Sequence, residues 1–369
     1  MFSFFSKQKP AFGLDISSST LRIMQLERTD NGFFPSAFSD AKLPKGLVSE
    51  ERIQNPEGLA KILRHHLKQP VFGRFAGQYV VFSVPEAKSF VRVIRVPKMS
   101  EEDAQEAVPF EAEQYIPLPI EQVYLDFKIL SNSSEDSASD KMQVVIVAAP
   151  KTIVDSYIDV INQVKLKPVA AEVESEAIVR ALISEQDQKE ATLVVDLSAA
   201  HTSLVIFDKG MLRFTSSLPI AGNSLTSQIS QKLTINFEEA EKLKLQVGLH
   251  ARKDKGRVRS ILLPQLESIV EAINNTVNFY KEHSEGQRQI GRILLCGGGS
   301  RLKGLVEYLN QELPKRNAMF SSKVVRIGDP WVNVLGRPVK KVPPLSKFDS
   351  LTFTTAIGLA LRGVQMEEE

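Results

Sequence analysis

Cysteine is almost absent from this sequence: Cys296 is the single one in 369 residues. One thiol excludes an intrachain disulfide framework and fits a reducing compartment. No apolar run approaches the ~20 residues that a membrane-spanning helix needs. A charge excess is missing too, since 46 Lys and Arg face 44 Asp and Glu for a net charge of +2. That balance gives no global pull toward nucleic acid or anionic lipid. The phosphate loop Gly-x-x-x-x-Gly-Lys-Ser/Thr occurs nowhere, which excludes that class of nucleotidase. His65 and His66 are adjacent, about 100° apart on a helix, and form no chelating pair, so no His or Cys metal site is expected. The opening Met1–Phe5 is apolar, but Lys7 and Lys9 follow and no small-residue cleavage site does. It reads as a frayed leader rather than a signal peptide, and the expected location is cytoplasmic.

What is present begins with length. A single core stops growing beyond roughly 250–300 residues, so two or more lobes are expected. Hydrophobic residues at 43% and charged residues at 24% are those of an ordinary globular chain. Internal similarity then organises it. An apolar strand, Ala11 to Ile16, runs into Asp15-Ile16-Ser17-Ser18-Ser19-Thr20, followed by apolar stretches at 21–26 and 33–38 around an Asn31-Gly32 turn. Much later, Leu193-Val194-Val195 runs into Asp196-Leu197-Ser198-Ala199-Ala200-His201-Thr202, followed by strands at 203–207 and 211–215 around Lys209-Gly210. Each unit reads strand, Asp-x-Ser loop, strand, glycine turn, strand. Two such copies so far apart indicate a duplicated α/β unit rather than a short-period solenoid.

Between the copies lies a different segment. Residues 89–96 alternate as a strand, and Ser100 caps a helix to about Tyr115 with Asp103 at the capping-box position. Pro117 and Pro119 end it. Strands at 123–130 and 142–149 flank a polar, acidic loop, Ser131 to Asp140, and a helix is expected over 151–165. Residues 89–166 thus read as an inserted α+β subdomain. After the second copy, 225–250 reads as two helices broken near Thr234–Asn236. The basic run Arg252 to Arg259 reads as a solvated loop. A long helix carries Leu266, Ile269, Val270, Ile273 and Val277 on one face. A strand at 290–295 enters Gly297-Gly298-Gly299-Ser300, and Leu302, Leu305, Val306 and Leu309 mark the next helix. Residues 339–346 form a Pro-rich connector. A closing helix, 353–361, carries Gly358 for close packing, and the tail Glu367–Glu369 reads as solvated.

Three loops are candidates for chemistry. A tight turn between strands can aim backbone N–H groups at a phosphate, and an acid at the strand end can hold Mg²⁺ through water. One Asp-x-Ser turn alone is more often an ordinary hairpin; two copies reverse that reading. Glycines between a strand and a helix let a flat ring or a phosphate approach the backbone. A dinucleotide fingerprint is disfavoured, because Leu302 holds the place of its last glycine and Asp329 reads as a turn residue. Glu241 and Lys244, three apart on a helix, read by spacing alone as a solvent-exposed ion pair.

The order of these parts resembles the actin, sugar-kinase and heat-shock-chaperone superfamily. The position of the insertion is similar to that in the division protein FtsA and its pilus relative, the PilM family. Phe12-Gly13-Leu14-Asp15-Ile16 with Leu21-Arg22 looks like the PilM opening, and Tyr115-Ile116-Pro117-Leu118-Pro119 with Asp126-Phe127 resembles its insertion. The resemblance covers nearly the whole chain. It implies an α/β fold of duplicated actin-like (ribonuclease-H-like) lobes around a nucleotide cleft. It also implies four subdomains: 1–88 with 167–190 and 352–369 as 1A, 89–166 as the FtsA/PilM-type insertion 1C, 191–224 with 290–351 as 2A, and 225–289 as 2B.

The resemblance further implies a cytoplasmic scaffold of the type IV pilus, or a related type II secretion, inner-membrane platform. Its cofactors would be ATP and Mg. Asp15, Ser17, Ser18, Ser19 and Arg22 match the first phosphate loop, with Arg22 where the family often has lysine. Asp196, Ser198 and Thr202 match the second. Glu241, Lys244, Gly297, Gly298, Gly299 and Ser300 match the adenosine site, and Asp15 and Asp196 would hold Mg through water. Serine stands at 17 and 198 where the family usually has glycine. It adds a Cβ but also a hydroxyl able to donate, so at most a weak ATPase is expected. Glu174 is the candidate to position water, with a helix-entry acid as its alternative role. The implied partner is a PilN-like N-terminal cytoplasmic peptide in a groove between the first lobe and the insertion, near Phe110, Tyr115, Tyr124 and Phe127. Other platform proteins and self-association are also implied, with the membrane met only indirectly. The alternatives are an FtsA-like division protein, which calls for a C-terminal amphipathic helix not evident at 363–369, or a small-molecule kinase of the same superfamily.

Overall fold

The computed structural model describes residues 11–130, 140–283 and 288–366. The opening Met1–Phe5, nearly all of the acidic loop Ser131–Asp140 and the tail Glu367–Glu369 lie outside the described residues.

In chain order the elements are β1 (Phe12–Ile16), β2 (Thr20–Thr29), β3 (Gly32–Lys42), β4 (Val48–Ser49), β5 (Arg52–Ile53), α1 (Pro56–Lys68), β6 (Phe72–Gly73) and β7 (Tyr79–Val84). Then follow β8 (Phe90–Pro97), α2 (Glu101–Glu113), β9 (Val123–Ile129), β10 (Lys141–Pro150), α3 (Lys151–Gln163), β11 (Lys167–Val173) and α4 (Glu174–Leu182). The second half holds β12 (Ala191–Leu197), β13 (Thr202–Asp208), β14 (Met211–Leu218), α5 (Gly222–Leu233), α6 (Phe237–Val247) and α7 (Arg257–His283). It closes with β15 (Ile290–Cys296), α8 (Leu305–Arg316), β16 (Val325–Ile327), α9 (Lys347–Ser350) and α10 (Thr354–Gln365).

The duplication is visible in strand order. One sheet reads β11-β7-β1-β2-β3-β6, and the other contains β16-β15-β12-β13-β14. In both, the Asp-x-Ser strand pairs antiparallel with its successor and parallel with a later strand on the other side. The first sheet is covered on both faces, so β1 is apolar at nearly every position rather than alternating. Phe12, Leu14 and Ile23 meet Leu59 and Leu63 of α1 on one face. Met24 and Leu26 meet Ile357 and Leu361 of α10 on the other.

Helix α4 runs between the sheets. Ala177 and Ala181 turn toward the first sheet and α10, while Ile178, Val179 and Leu182 pack on Val194, Val205 and Leu294 of the second. Gly358 of α10 is where α4 comes closest, since a Cβ there would overlap the Ala177 carbonyl.

Two features were not foreseen. The inserted strands extend the second sheet, whose full order is β16-β15-β12-β13-β14-β8-β10-β9, spliced through one residue pair, Phe214↔Arg92. Helix α3, expected within the insertion, turns Ile153, Val154, Tyr157 and Ile161 onto the first sheet. Those apolar residues recur at helical spacing, and the first sheet is the apolar face within their reach. Within the insertion, Ala104, Val108 and Ala112 of α2 pack on Ile94, Val96 and Val144. The Ser100 hydroxyl caps α2, accepting from the Asp103 N–H at 3.1 Å.

The break between α5 and α6 falls where expected. Thr234 is left-handed at φ 55°, and the Asn236 side chain accepts from Glu239 N–H at 2.9 Å to start the next helix.

Candidate functional site

The ends of β1 and β12 bring the two duplicated loops to the floor of one cleft. Asp15 and Asp196 are both buried there, with Glu174 at the start of α4. Burial, then the charge of Glu174, pushes the Asp15 carboxyl up to about 7, against the pull of Arg22 and of the Ser83 hydroxyl. Ser83 Oγ donates to Asp15 Oδ1 at 3.1 Å. Burial pushes Asp196 up to about 6, against the attraction of His201 and with Glu174 adding to the rise. Glu174 acts on both acids, so the three share one electrostatic site.

The serines at 17 and 198 play the same role in both loops. Ser17 Oγ accepts from the N–H groups of Ser19 at 3.4 Å and Thr20 at 3.1 Å. Ser198 Oγ accepts from Ala200 N–H at 3.3 Å and His201 N–H at 3.2 Å, and donates to the His201 carbonyl at 2.8 Å. Each turn is thus capped by its own hydroxyl. Ser18 and Ser19 are partly exposed beside it. The Thr202 hydroxyl is directed elsewhere, to the Ile220 carbonyl at 2.5 Å. Arg22, on β2, places Nε 3.2 Å from Asp40 and its guanidinium over the Phe353 ring.

The adenosine-side candidates gather around the second loop. Gly222 N–H and Asn223 N–H donate to the carbonyls of Ser198 and Ala199 at 3.0 and 2.9 Å, which docks the start of α5 on the turn. Lys244 is buried, so its pair with Glu241 at 2.8 Å is not the solvent-exposed contact that spacing suggests. Its ammonium donates to Gly222 O at 2.9 Å and to Thr226 Oγ1 at 2.8 Å. Burial lowers its pKa, against the charge of Glu241.

The glycine loop does not run straight into a helix as expected. It forms a 3₁₀ turn over Gly298–Arg301, and α8 begins only after Gly304, itself left-handed at φ 82°. Gly297, at φ 75°, lies against Asp196 and Leu197, where a Cβ would overlap both. A Cβ at Gly298 would fit without overlap, meeting the Thr352 methyl at 3.8 Å. Ser300 is buried, its hydroxyl donating to the Gly297 carbonyl at 2.7 Å.

One functional residue escaped the sequence reading. His201, in the second loop, lies between Glu51 at 2.8 Å (Nδ1) and Glu174 at 3.4 Å (Nε2). Burial alone would push the imidazole pKa down, but Glu174 and Glu51 outweigh it and raise it to about 11. An imidazolium therefore bridges the first lobe, the helix between the lobes and the second lobe. Glu50 and Glu51 reach this position through left-handed backbone, φ 49° and 60°. Glu174 is further engaged by Glu86 N–H at 3.2 Å, while Glu86 Oε2 accepts from Ser175 N–H at 3.1 Å. The only sequence signal for His201 was its place in the loop.

Asp15 and Asp196 are the acids here that could face a cation, and among the described residues no group of three or more metal-ligating side chains gathers. The two capped turns fit a phosphate only with both serine hydroxyls rotated away.

A second feature lies on another side. β9 and β11, each last in its own sheet, line a common pocket of about 320 Å³ between the insertion and the first lobe. Tyr124, Leu125, Val147, Val154, Ile158 and Ala171 give it apolar walls. A larger groove of about 1170 Å³ adjoins it, sharing Asp126, Val147, Ala171 and Glu172. In that groove Arg180 holds Glu172 through two nitrogens at 2.6 and 2.8 Å. Phe127 lines the larger groove, Phe110 is exposed on α2, and Tyr115 lines a different cavity. Among the described residues no helix is long and apolar enough to cross a membrane.

Comparison with known proteins bears on this architecture. The solved PilM-PilN type IV pilus biogenesis complex matches over 97% of this chain and 99% of that chain, at 27% identity and TM-score 0.80. The ethanolamine utilization protein EutJ of Carboxydothermus hydrogenoformans (14% identity, 96% and 89% covered, TM-score 0.55) is similar in fold. So is MreB5 of Spiroplasma citri bound to ADP (12%, 99% and 100%, TM-score 0.56). The cell division protein FtsA of Bacillus subtilis is 21% identical over 254 residues, 60% of this chain and 56% of that protein. The chain spans about half the length of the curated relatives it matches. The family model of type IV pilus assembly protein PilM matches residues 13–364, from the first strand to the closing helix. The chain therefore belongs to the PilM family of type IV pilus assembly proteins, on the actin-like fold.

Proposed function

We propose that this protein is the cytoplasmic scaffold of a type IV pilus, or related type II secretion, inner-membrane platform, and that it binds the cytoplasmic tail of a PilN-like membrane protein. The observation that carries this reading is the pair of edge strands, β9 and β11, facing each other across an apolar pocket. An extended peptide can add to such an edge, taking affinity from main-chain hydrogen bonds and specificity from the side-chain pockets. Binding there recruits the protein to the inner face of the membrane through its partner.

The four-part division given above is part of the proposal, with α3 contributing its apolar face to the first lobe's core. The cleft is proposed to take ATP, with Asp15 and Asp196 holding magnesium through water and the nucleoside lying against Gly297–Ser300. The bound nucleotide would supply a polyanion between the lobes. Ser17 and Ser198 would release the N–H groups they now cap. Glu174 accepts from Glu86 N–H and lies within ion-pair distance of His201, so its carboxylate is already engaged, which fits a weak ATPase at most.

The test is calorimetric titration of the full chain with a synthetic PilN-like N-terminal peptide. Ile158→Glu, on the wall formed by α3, is expected to weaken binding at least roughly tenfold by placing a charge in the apolar pocket. The thermal midpoint should stay near that of the wild type, because Ile158 is only partly buried. Equal affinity in the variant would remove the groove from the reading.

A further inference from the structure

The net charge of +2 hides two surfaces of opposite sign. No Lys or Arg lies between Lys98 and Lys128, and α2 carries much of the acid in that stretch. At about 100° per residue Glu102, Glu106, Phe110 and Glu113 fall on one stripe of this helix, within about 80°. The stripe points away from Ala104, Val108 and Ala112, which pack on the inserted strands. All four residues are exposed, Phe110 to 78%. None of the three carboxylates has an ion-pair or hydrogen-bond partner among the described residues. Phe110 lines neither the β9–β11 pocket nor the groove beside it.

The opposite charge gathers where α6 gives way to α7. Between Lys242 and Lys255 the one acid is Asp254, and Arg257 already holds it at 2.6 Å. Lys242, Arg252, Lys253 and Lys255 are exposed, and none has a partner among the described residues. Lys303 joins them: its carbonyl accepts from Leu249 N–H at 2.8 Å and its ammonium reaches the Gln246 carbonyl at 3.3 Å. Leu245, 41% exposed, lies three residues after Lys242 and gives this surface an apolar centre. Glu238 and Glu239 stand apart, at the start of α6. The two surfaces belong to opposite ends of α7. Its last turns share a cavity with Tyr115, just beyond α2, whereas the basic run precedes its first residue. Those ends are about 40 Å apart at 1.5 Å per residue.

We propose that these surfaces are the two halves of one interface between copies of this chain. The acidic stripe of α2 in one copy docks on the α6–α7 junction of the next, with Phe110 against Leu245 and the carboxylates among Lys242, Arg252, Lys253 and Lys255. The halves match in sign and each has an apolar centre within a charged rim. A two-fold contact through either surface alone would set like charges against each other, so the interface is heterologous and copies add head to tail. Exposed ion pairs contribute little singly; as a set they fix orientation, while Phe110 and Leu245 leave water. The interface is separate from the β9–β11 groove and the cleft, and depends on neither reading.

The experiment is sedimentation velocity of the full chain from about 5 to 200 µM. The average mass should rise with concentration above the 41.1 kDa of one chain. The association constant should fall at least roughly tenfold between about 0.05 and 0.5 M salt. Two variants each remove one half: Phe110→Ser with Glu106→Lys, and Arg252→Glu with Lys253→Glu. All four positions are exposed, so both proteins should keep the thermal midpoint of the wild type. Each variant alone should stay monomeric. An equimolar mixture should form dimers and stop there, because each dimer joins the one intact acidic stripe to the one intact basic junction. A wild type that is monomeric at about 200 µM, association that survives either variant, or a mixture that stays monomeric overturns the proposal.

Discussion

Asp15 shows how the cleft is balanced. Its carboxyl is buried beside Glu174, and its protonated form is favoured up to about pH 7. The folded pKa is raised, so the stability it contributes is full below the ordinary carboxylate range and is lost as pH rises through about 7. His201 slopes the same way at higher pH, its contribution full below the ordinary imidazole range and lost toward about 11. Asp15→Asn keeps the shape and still accepts from Ser83 through Oδ1, but carries no charge. It should raise stability by about 2 kcal/mol at pH 8 and change it little at pH 4. Thermal unfolding of both proteins across that range checks this, and parallel curves would contradict it. The two acids were legible because each ends an apolar strand before a serine turn. His201 was not, because its partners Glu51 and Glu174 come from distant segments that only folding brings together.

Individual elements were read better than their partners. The strands of both repeats, the helix capped by Ser100 and the break at Thr234 carry local signals: alternation, a hydroxyl cap, a left-handed residue. The glycine loop was misread because glycine permits a 3₁₀ turn as readily as a helix start, and the second left-handed glycine, Gly304, defers α8 to Leu305. Gly358 was singled out correctly, and its reason is now concrete: α10 and α4 touch there backbone to backbone. Gly358→Ala should force the helices apart and cost about 3 kcal/mol, measured by chemical denaturation. A change within about 0.5 kcal/mol would mean that the contact is loose.

The whole molecule holds what periodicity does not encode. That the chain is two related lobes with an insertion followed from order and repetition along the sequence. That the insertion's strands join the second sheet, while α3 returns to the first, did not, because strand alternation specifies a face and not a neighbour. The β9–β11 groove was likewise foreseen only as a place. Tyr124 lines it and Phe127 lines the adjoining groove, whereas Val154 and Ile158 lie in a segment read only as a helix.

Amide hydrogen exchange of the full chain, with and without a PilN-like N-terminal peptide, tests the central claim most directly. Added main-chain hydrogen bonds slow exchange where the peptide pairs. Protection of 123–127 and 169–173, with the cleft loops at 17–20 and 198–202 unchanged or only weakly affected, is the expected result. Protection confined to the cleft loops, with β9 and β11 exchanging as in the free protein, would contradict the account.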